Sequence, residues 1–244
     1  IVVPFAAGGG VDTVARLIGE EFKTSLGHLP IVDNQPGASG MRGAENVARS
    51  PADGYTVLLA SAGEVAVNPH LFKSMRYDPA KDLAAISLVV RVPNVLVVSS
   101  ASPLKAFEDL LSAAKTDGKI TFSSSGLGNP QHLAGELINK QVPGTKLLHV
   151  PYKGASQQVQ DVLSNSVTAT FASYLAVGSF VQGGQLRALA VTSKDRIPSL
   201  PDVPAIAENA QLKGYDVTNW FGMFAPANTP APIVEKLAQA VAAS

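Results

Sequence analysis

The sequence contains no cysteine. Disulfides, thiolate nucleophiles and cysteine-ligated metal are therefore excluded, and the absence accords with an oxidising compartment. It also lacks an excess of either charge: nineteen Lys and Arg balance nineteen Asp and Glu. No positive field is present to neutralise a phosphate backbone, so no nucleic-acid partner is expected. Long apolar runs are missing as well. Stretches such as 94–98 and 187–191 are strand-sized, far below the ~20 residues that span a bilayer. The four histidines, at 28, 70, 132 and 149, have no helix or strand spacing for a shared metal, so neither metal nor cofactor is expected.

Several motifs of chemistry fail in the same way. Gly126-Leu-Gly128 begins like a dinucleotide fingerprint but lacks the third glycine. No acidic residue follows ~20 positions on at a strand end. No Gly-Lys-Ser/Thr closes a phosphate loop, and no G-x-S-x-G marks a hydrolase nucleophile. His132 is the only histidine close in sequence to a serine cluster, Ser123 to Ser125, and this is the one foothold for a hydrolase reading. The chain is read as not an enzyme.

What is present is a 244-residue chain with 46% hydrophobic residues, enough for real cores. Short apolar runs alternate with amphipathic stretches, which predicts an α/β fold of β-α units. Strands are expected at 1–5, 56–61, 86–90 and 94–99, with a helix from Asp12 to Leu26 that carries an apolar stripe at Val14, Ile18, Phe22 and Leu26 and stops at Gly27. The polar joint Ser99–Pro103 marks a lobe boundary. A second set of units follows: strands at 120–123, 147–150, 167–171 and 187–192, and helices near 104–114, 129–141 and 157–163. Lys213–Asp216 reads as a return crossing. The division is therefore 1–99 with 215–244 as lobe 1 and 100–214 as lobe 2, with a hinge at Ser99–Ser102 and Lys213–Asp216. The opening residues already read as a strand, so a signal peptide is expected to have been removed, and the final helix is expected to continue in the natural chain.

Two segments share one design. Strand Val2–Phe5 runs into Ala6-Ala-Gly-Gly-Gly10 and a helix; strand Ile120–Ser123 runs into Ser124-Ser-Gly-Leu-Gly128 and a helix with Asn129 as N-cap and Pro130 at its first position. Glycines let the backbone aim its N–H groups inward, and a helix start leaves donors free with a partial positive charge. Each is a candidate anion cup, Ala6, Ala7, Gly8 and Gly9 in the first and Ser123, Ser124, Ser125, Gly126, Gly128 and Asn129 in the second. His132, on the first turn of that helix, either meets the ligand or packs beside the turn. Glu64 is expected to be solvated, Lys153 structural, and Trp220 and Phe221 core.

Ordered matches along the chain resemble the tripartite tricarboxylate transporter receptor family, the Bug family of periplasmic solute-binding proteins. They include Pro4-Phe-Ala-Ala-Gly-Gly-Gly-Val-Asp12, Asn34-Gln-Pro-Gly-Ala38, Ala52-Asp-Gly-Tyr-Thr56, Asn68-Pro69, Val92-Pro-Asn-Val95, Gln131-His-Leu-Ala-Gly-Glu136, His149-Val-Pro-Tyr-Lys-Gly154 and Leu200-Pro-Asp-Val-Pro204. The resemblance implies a type II periplasmic-binding-protein fold, two lobes of mixed sheets flanked by helices and joined by two crossings. It implies ligand loops at Phe5 to Gly9, at Ser61-Ala62, at Ser123 to Asn129 with His132, and at Ala172-Ser173. It further implies a periplasmic, monomeric receptor that captures a small carboxylate in the cleft between lobes and delivers it to a membrane permease. Family members commonly carry Asp-Asn where this chain has Ala172-Ser173, which argues against an amine-bearing ligand. A mono- or dicarboxylate, aliphatic or aromatic, is expected; an amino-acid binder, a sensory receptor and, more remotely, a hydrolase are the alternatives.

Overall fold

In the computed structural model, which describes residues 1–116 and 119–243, the first strand is only Val2–Val3 (β1). Pro4 follows it and has no N–H for a sheet ladder. Helix α1, Gly10–Leu26, starts two residues before Asp12 because extended Gly9 takes the cap position, and it ends at Gly27 with φ +79°. Val14, Ile18 and Phe22 of the apolar stripe are buried. Next come β2 (Asp33–Asn34), α2 (Met41–Ala48), β3 (Leu58–Ser61), α3 (Asn68–Leu71), α4 (Pro79–Asp82), β4 (Leu83–Val92) and β5 (Asn94–Ser99). The chain continues with α5 (Phe107–Thr116), β6 (Thr121–Ser124), α6 (Pro130–Gln141), β7 (Leu148–Pro151), α7 (Ala155–Leu163), β8 (Ala169–Ser173), α8 (Tyr174–Gln182) and β9 (Leu186–Val191), then β10 (Asn219–Pro226) and α9 (Ala231–Ala242).

These elements form two units, Ile1–Arg91 with the chain from Trp220 onward, and Val92–Asn219. The first holds a five-stranded sheet in the order β2-β1-β3-β10-β4. β1 runs parallel to β2 and β3, while β10 is antiparallel to β3. Val2, Ala44, Val47, Leu58 and Ala60 pack in its core. The second holds the order β7-β6-β8-β5-β9, with β6 parallel to β7 and β8, and β5 antiparallel to both β8 and β9. β5 therefore lies inside the second sheet. Tyr215 is also bound into that unit, fully buried and donating its O–H to Ala134 O at 2.9 Å. The fold is the expected mixed α/β architecture, two five-stranded sheets flanked by helices.

Side-chain alternation gives the second sheet two apolar faces. Leu96, Phe122 and Phe171 meet the α5 and α6 side chains Leu110 and Ile138 on one face. Val95, Val97 and Ala172 meet Val159, Val162 and Val177 of α7 and α8 on the other. Helix α6 lies close on β6 because Gly135 carries no side chain: a Cβ there would sit 2.3 Å from Phe122 Cζ. That contact fixes where the start of α6 stands over the end of β6. Among the described residues no helix is long and apolar enough to cross a membrane.

Candidate functional site

The turn from β6 to α6 is built from within. Gly126 and Gly128 hold φ +139° and +78°, and Asn129 Oδ1 caps the helix by accepting the His132 N–H at 2.9 Å. Gln131 Oε1 accepts both the N–H and the O–H of Ser125, at 2.8 and 2.7 Å. Ser124 Oγ donates to Gly126 O at 2.9 Å and lies 2.6 Å from His149 Nε2. A hydroxyl has one proton, so with that proton on Gly126 O the imidazole is the donor to Ser124. The hydroxyls of Ser124 and Ser125 thus brace the turn. Pro130 has no N–H, so helix geometry leaves the Gln131 N–H as the one α6 amide before His132 without an intrahelical acceptor.

His132 and His149 form a second brace. Gly128 N–H donates to His132 Nδ1 at 3.1 Å, and the two rings stack with centroids 4.2 Å apart. Burial, with the neighbouring His132, pushes the His149 pKa down to about 4. Burial also lowers that of His132, against Glu136. Both rings are neutral at neutral pH, and His149 is oriented by ring packing on His132 and Phe122 instead of by a carboxylate. His149 was missed because 25 residues separate it from Ser124. Parallel pairing of β6 with β7 sets it opposite Phe122, next to the serine cluster.

A polar row ends the same face of the sheet. Ser124, Ser173, Asn94 and Thr192 share the face of Phe122, Phe171 and Leu96, at the carboxyl ends of β6, β8 and β9 and the start of β5. Asn94 and Ser173 are directly opposite each other. The Asn94 side chain and Ser173 Oγ are buried with no hydrogen-bond partner. Buried polar groups of this kind are rare, and each needs a reason. Ser173 is the N-cap residue of α8, yet its side chain makes no capping bond. Thr192 Oγ1 accepts the Asn94 N–H at 3.0 Å and donates to Val217 O. The carboxyl ends of parallel strands are where open α/β sheets take ligands. Ala172, one residue before Ser173, points the other way into the core of Val95 and Val177. Ser123 also faces away, with an unpartnered Oγ beside Thr170 and Gln158. Asn94, Gln131, His149 and Thr192 were not singled out from sequence.

The first unit's turn is braced differently. Gly8, at φ +83°, donates its N–H to Asp12 Oδ2 at 3.0 Å. Asp12 is buried and bonded by Arg16 at 3.0 and 3.1 Å and by Asn34 Nδ2 at 3.0 Å. Burial opposes the charge, but Arg16, the Gly8 amide and Asn34 hold the Asp12 carboxyl below the usual carboxylate range. Gly9 caps α1 without a side chain, which leaves the first α1 amides open to an outside acceptor. Phe5 and Gly9 are buried, Ala6 half-buried, Ala7 and Gly8 exposed. At the end of β3, Ser61 gives both its N–H and its O–H to Glu64 Oε2, at 2.8 and 2.9 Å. Glu64, expected in solvent, is completely buried instead, and Ala62 beside it is buried too. Phe221 is core as expected, Trp220 half-buried and Lys153 exposed. A groove of about 730 Å³ on the same unit, lined by Arg42, Arg49 and Arg76 among others, includes no residue of either turn.

Residues 14–244 match the family described as tripartite tricarboxylate transporter family receptor. A Pseudomonas sp. (strain P51) protein of the tcbD-tcbE intergenic region is 40% identical over 237 residues, which cover 97% of this chain and 70% of that protein. Protein BugT of Bordetella pertussis is 36% identical over 236 residues, covering 96% and 72%. Among solved structures, periplasmic binding protein BugD matches with a TM-score of 0.93 at 37% identity, over 99% of this chain and 80% of that one. An R. palustris protein solved with adipate gives 0.95 at 37% identity, over 99% and 81%. MatC from Rhodopseudomonas palustris, solved with bound malate, gives 0.91 at 31% identity, over 99% and 82%.

Proposed function

The chain belongs to the tripartite tricarboxylate transporter receptor family, and from that premise we propose that it captures a small dicarboxylate without an amine and passes it to the family's membrane permease. The observation that carries this reading is the polar edge of the second sheet. There the open Gln131 amide at the start of α6 and the unpartnered Ser173 hydroxyl and Asn94 amide lie at one strand edge. Neutral donors of this kind suit a carboxylate. No aspartate or glutamate stands at the end of β8 to meet an ammonium group, since Ala172-Ser173 occupies that place.

The ligand's carboxylate takes its hydrogen bonds from the backbone N–H groups of Leu127, Asn129 and Gln131 at the start of α6, since those of Ser125, Gly126 and Gly128 are engaged within the turn. Ser173 and Asn94 serve the remainder of the ligand. Hydrogen bonds to a charged group contribute roughly 1.5–3 kcal/mol each. Four of them at the upper end, about 12 kcal/mol, leave the ~8 kcal/mol of micromolar affinity after an association cost of about 4 kcal/mol. The structures solved with adipate and with malate support the chemical class. Family membership supports a periplasmic location and a permease partner.

A thermal-shift panel tests this reading. Malate, adipate and related dicarboxylates are expected to raise the unfolding temperature, because ligand at ~100 times its dissociation constant adds ~2.7 kcal/mol. The α-amino analogues are expected to leave it unchanged. A shift given only by amino acids would overturn the proposal.

A further inference from the structure

Among the described residues Glu64 is a buried acid with no counter-charge. It lies in a single π-helical turn, Gly63–Val67. Its Oε2 is satisfied by Ser61, but Oε1 is buried with no partner. Four residues on, Asn68 is equally buried: its Nδ2 donates to Ser39 O at 3.1 Å, and its Oδ1 also lacks a partner. Both orphans are acceptors, so what the site lacks is a donor.

The segment against which Glu64 packs is strained. Gly37, Ala38, Ser39 and Gly40 have φ of +136°, +49°, +54° and +83° in succession, and non-glycine residues in the left-handed region cost roughly 1–2 kcal/mol each. A Cβ on Gly40 would stand 2.1 Å from Glu64 Oε1 and 2.8 Å from its Cδ and Cγ. The carboxyl therefore fills the space that glycine leaves. Strain of this kind persists only where surrounding contacts impose it.

The charged and titratable groups on the neighbouring elements are engaged elsewhere or point away. Tyr77 donates its O–H to the Glu64 backbone carbonyl at 2.7 Å. Lys81 of α4 pairs with Asp78, and Asp82 accepts the Asp78 N–H. Arg42 of α2 is exposed on the groove. None of them pairs with the Glu64 carboxyl.

We propose that Glu64 is a positioning residue that works as a proton-operated latch. Neutral, it supplies a donor from Oε1 and holds the left-handed 37–40 turn against the end of β3; ionised, it leaves its Oε1 and Asn68 Oδ1 both without a donor and releases that turn. Burial pushes its pKa from 4.5 up to about 7. An acid whose folded pKa is raised stabilises the fold fully below its unfolded pKa and loses that contribution as pH rises through the folded value. The latch thus weakens between about pH 4.5 and about pH 7. This inference rests on no ligand and stands apart from the proposed function.

Hydrogen exchange on the ligand-free protein reads it out. Corrected for intrinsic rates, opening of the 61–68 and 37–41 amides is expected to increase roughly 70-fold between about pH 5 and about pH 8, from the two pKa values. Glu64→Gln keeps shape and hydrogen bonding but cannot ionise, and its opening is expected to be flat over the same range. Equal pH dependence in both proteins would overturn the latch. Should Glu64→Gln fail to fold, the side-chain carboxyl ¹³C titration of Glu64 in the parent decides: a midpoint near 7 supports the latch, one near 4.5 refutes it.

Discussion

Gly40→Ala is expected to destabilise the protein by about 2–4 kcal/mol, the sum of a left-handed backbone penalty and an overpacked core. Gly40 holds φ +83°, and the new methyl would stand 2.1 Å from Glu64 Oε1. Backbone and side chain of a packed pair must both shift, because the carboxyl has no solvent to move into. For a chain of this size the unfolding midpoint should fall by about 10 °C, at roughly 2–4 °C per kcal/mol. The steric share belongs to one contact and is separable. Glu64→Ala removes the obstructing atoms, so in that background Gly40→Ala should cost only the backbone penalty of roughly 1–2 kcal/mol, and the double variant should be more stable than the sum of the two single changes predicts. Denaturant titrations of the four proteins measure the coupling. Simple additivity would show that the two residues do not meet as described.

The second large effect concerns ligand affinity. Gly126 sits at φ +139°, a conformation that side-chain-bearing residues rarely adopt. Its N–H and C=O are both tied to Ser124 Oγ, at 3.2 and 2.9 Å. Gly126→Ala must rotate this peptide and carry the following amides away from the ligand. Loss of one charge-assisted hydrogen bond corresponds to a roughly 10- to 100-fold weaker dissociation constant. Gly184→Ala is the matched control. Gly184 lies in the same unit at φ +70° with open space around it, so it takes a left-handed backbone penalty without touching the turn. Calorimetric titration with a dicarboxylate should separate the two, with Gly184→Ala binding like the parent. Parent-like affinity in Gly126→Ala would contradict a ligand role for this turn.

The parts of the fold legible in the sequence were those set by local signals. Asn129 and Pro130 announced the start of α6, Gly27 the end of α1, and the apolar run 94–99 the strand β5. Helix α8 was not legible. Its sequence, Tyr-Leu-Ala-Val-Gly-Ser-Phe-Val-Gln, is apolar on nearly every side, so it lacks the polar stripe that marks an amphipathic helix. β2 is two residues long and has no pattern to read.

The same division runs through the site. The two glycine turns are local and were visible; part of what surrounds the second is not local. His149 arrives by strand pairing, and Asn94 lies opposite Ser173 across a β-ladder that joins residues far apart in sequence. Naming Ser173 from the family resemblance without the strand register left it paired with Ala172, which alternation turns into the core. Glu64 read as a solvated loop acid because its burial depends on Gly40, 24 positions earlier, having no side chain.

Most directly, the account is tested by the crystal structure of the protein with a bound dicarboxylate. One carboxylate is expected within hydrogen-bonding distance of the amides at the start of α6, with Ser173 or Asn94 contacting the rest of the molecule. A carboxylate seated on an arginine or lysine side chain, away from the start of α6, would contradict it.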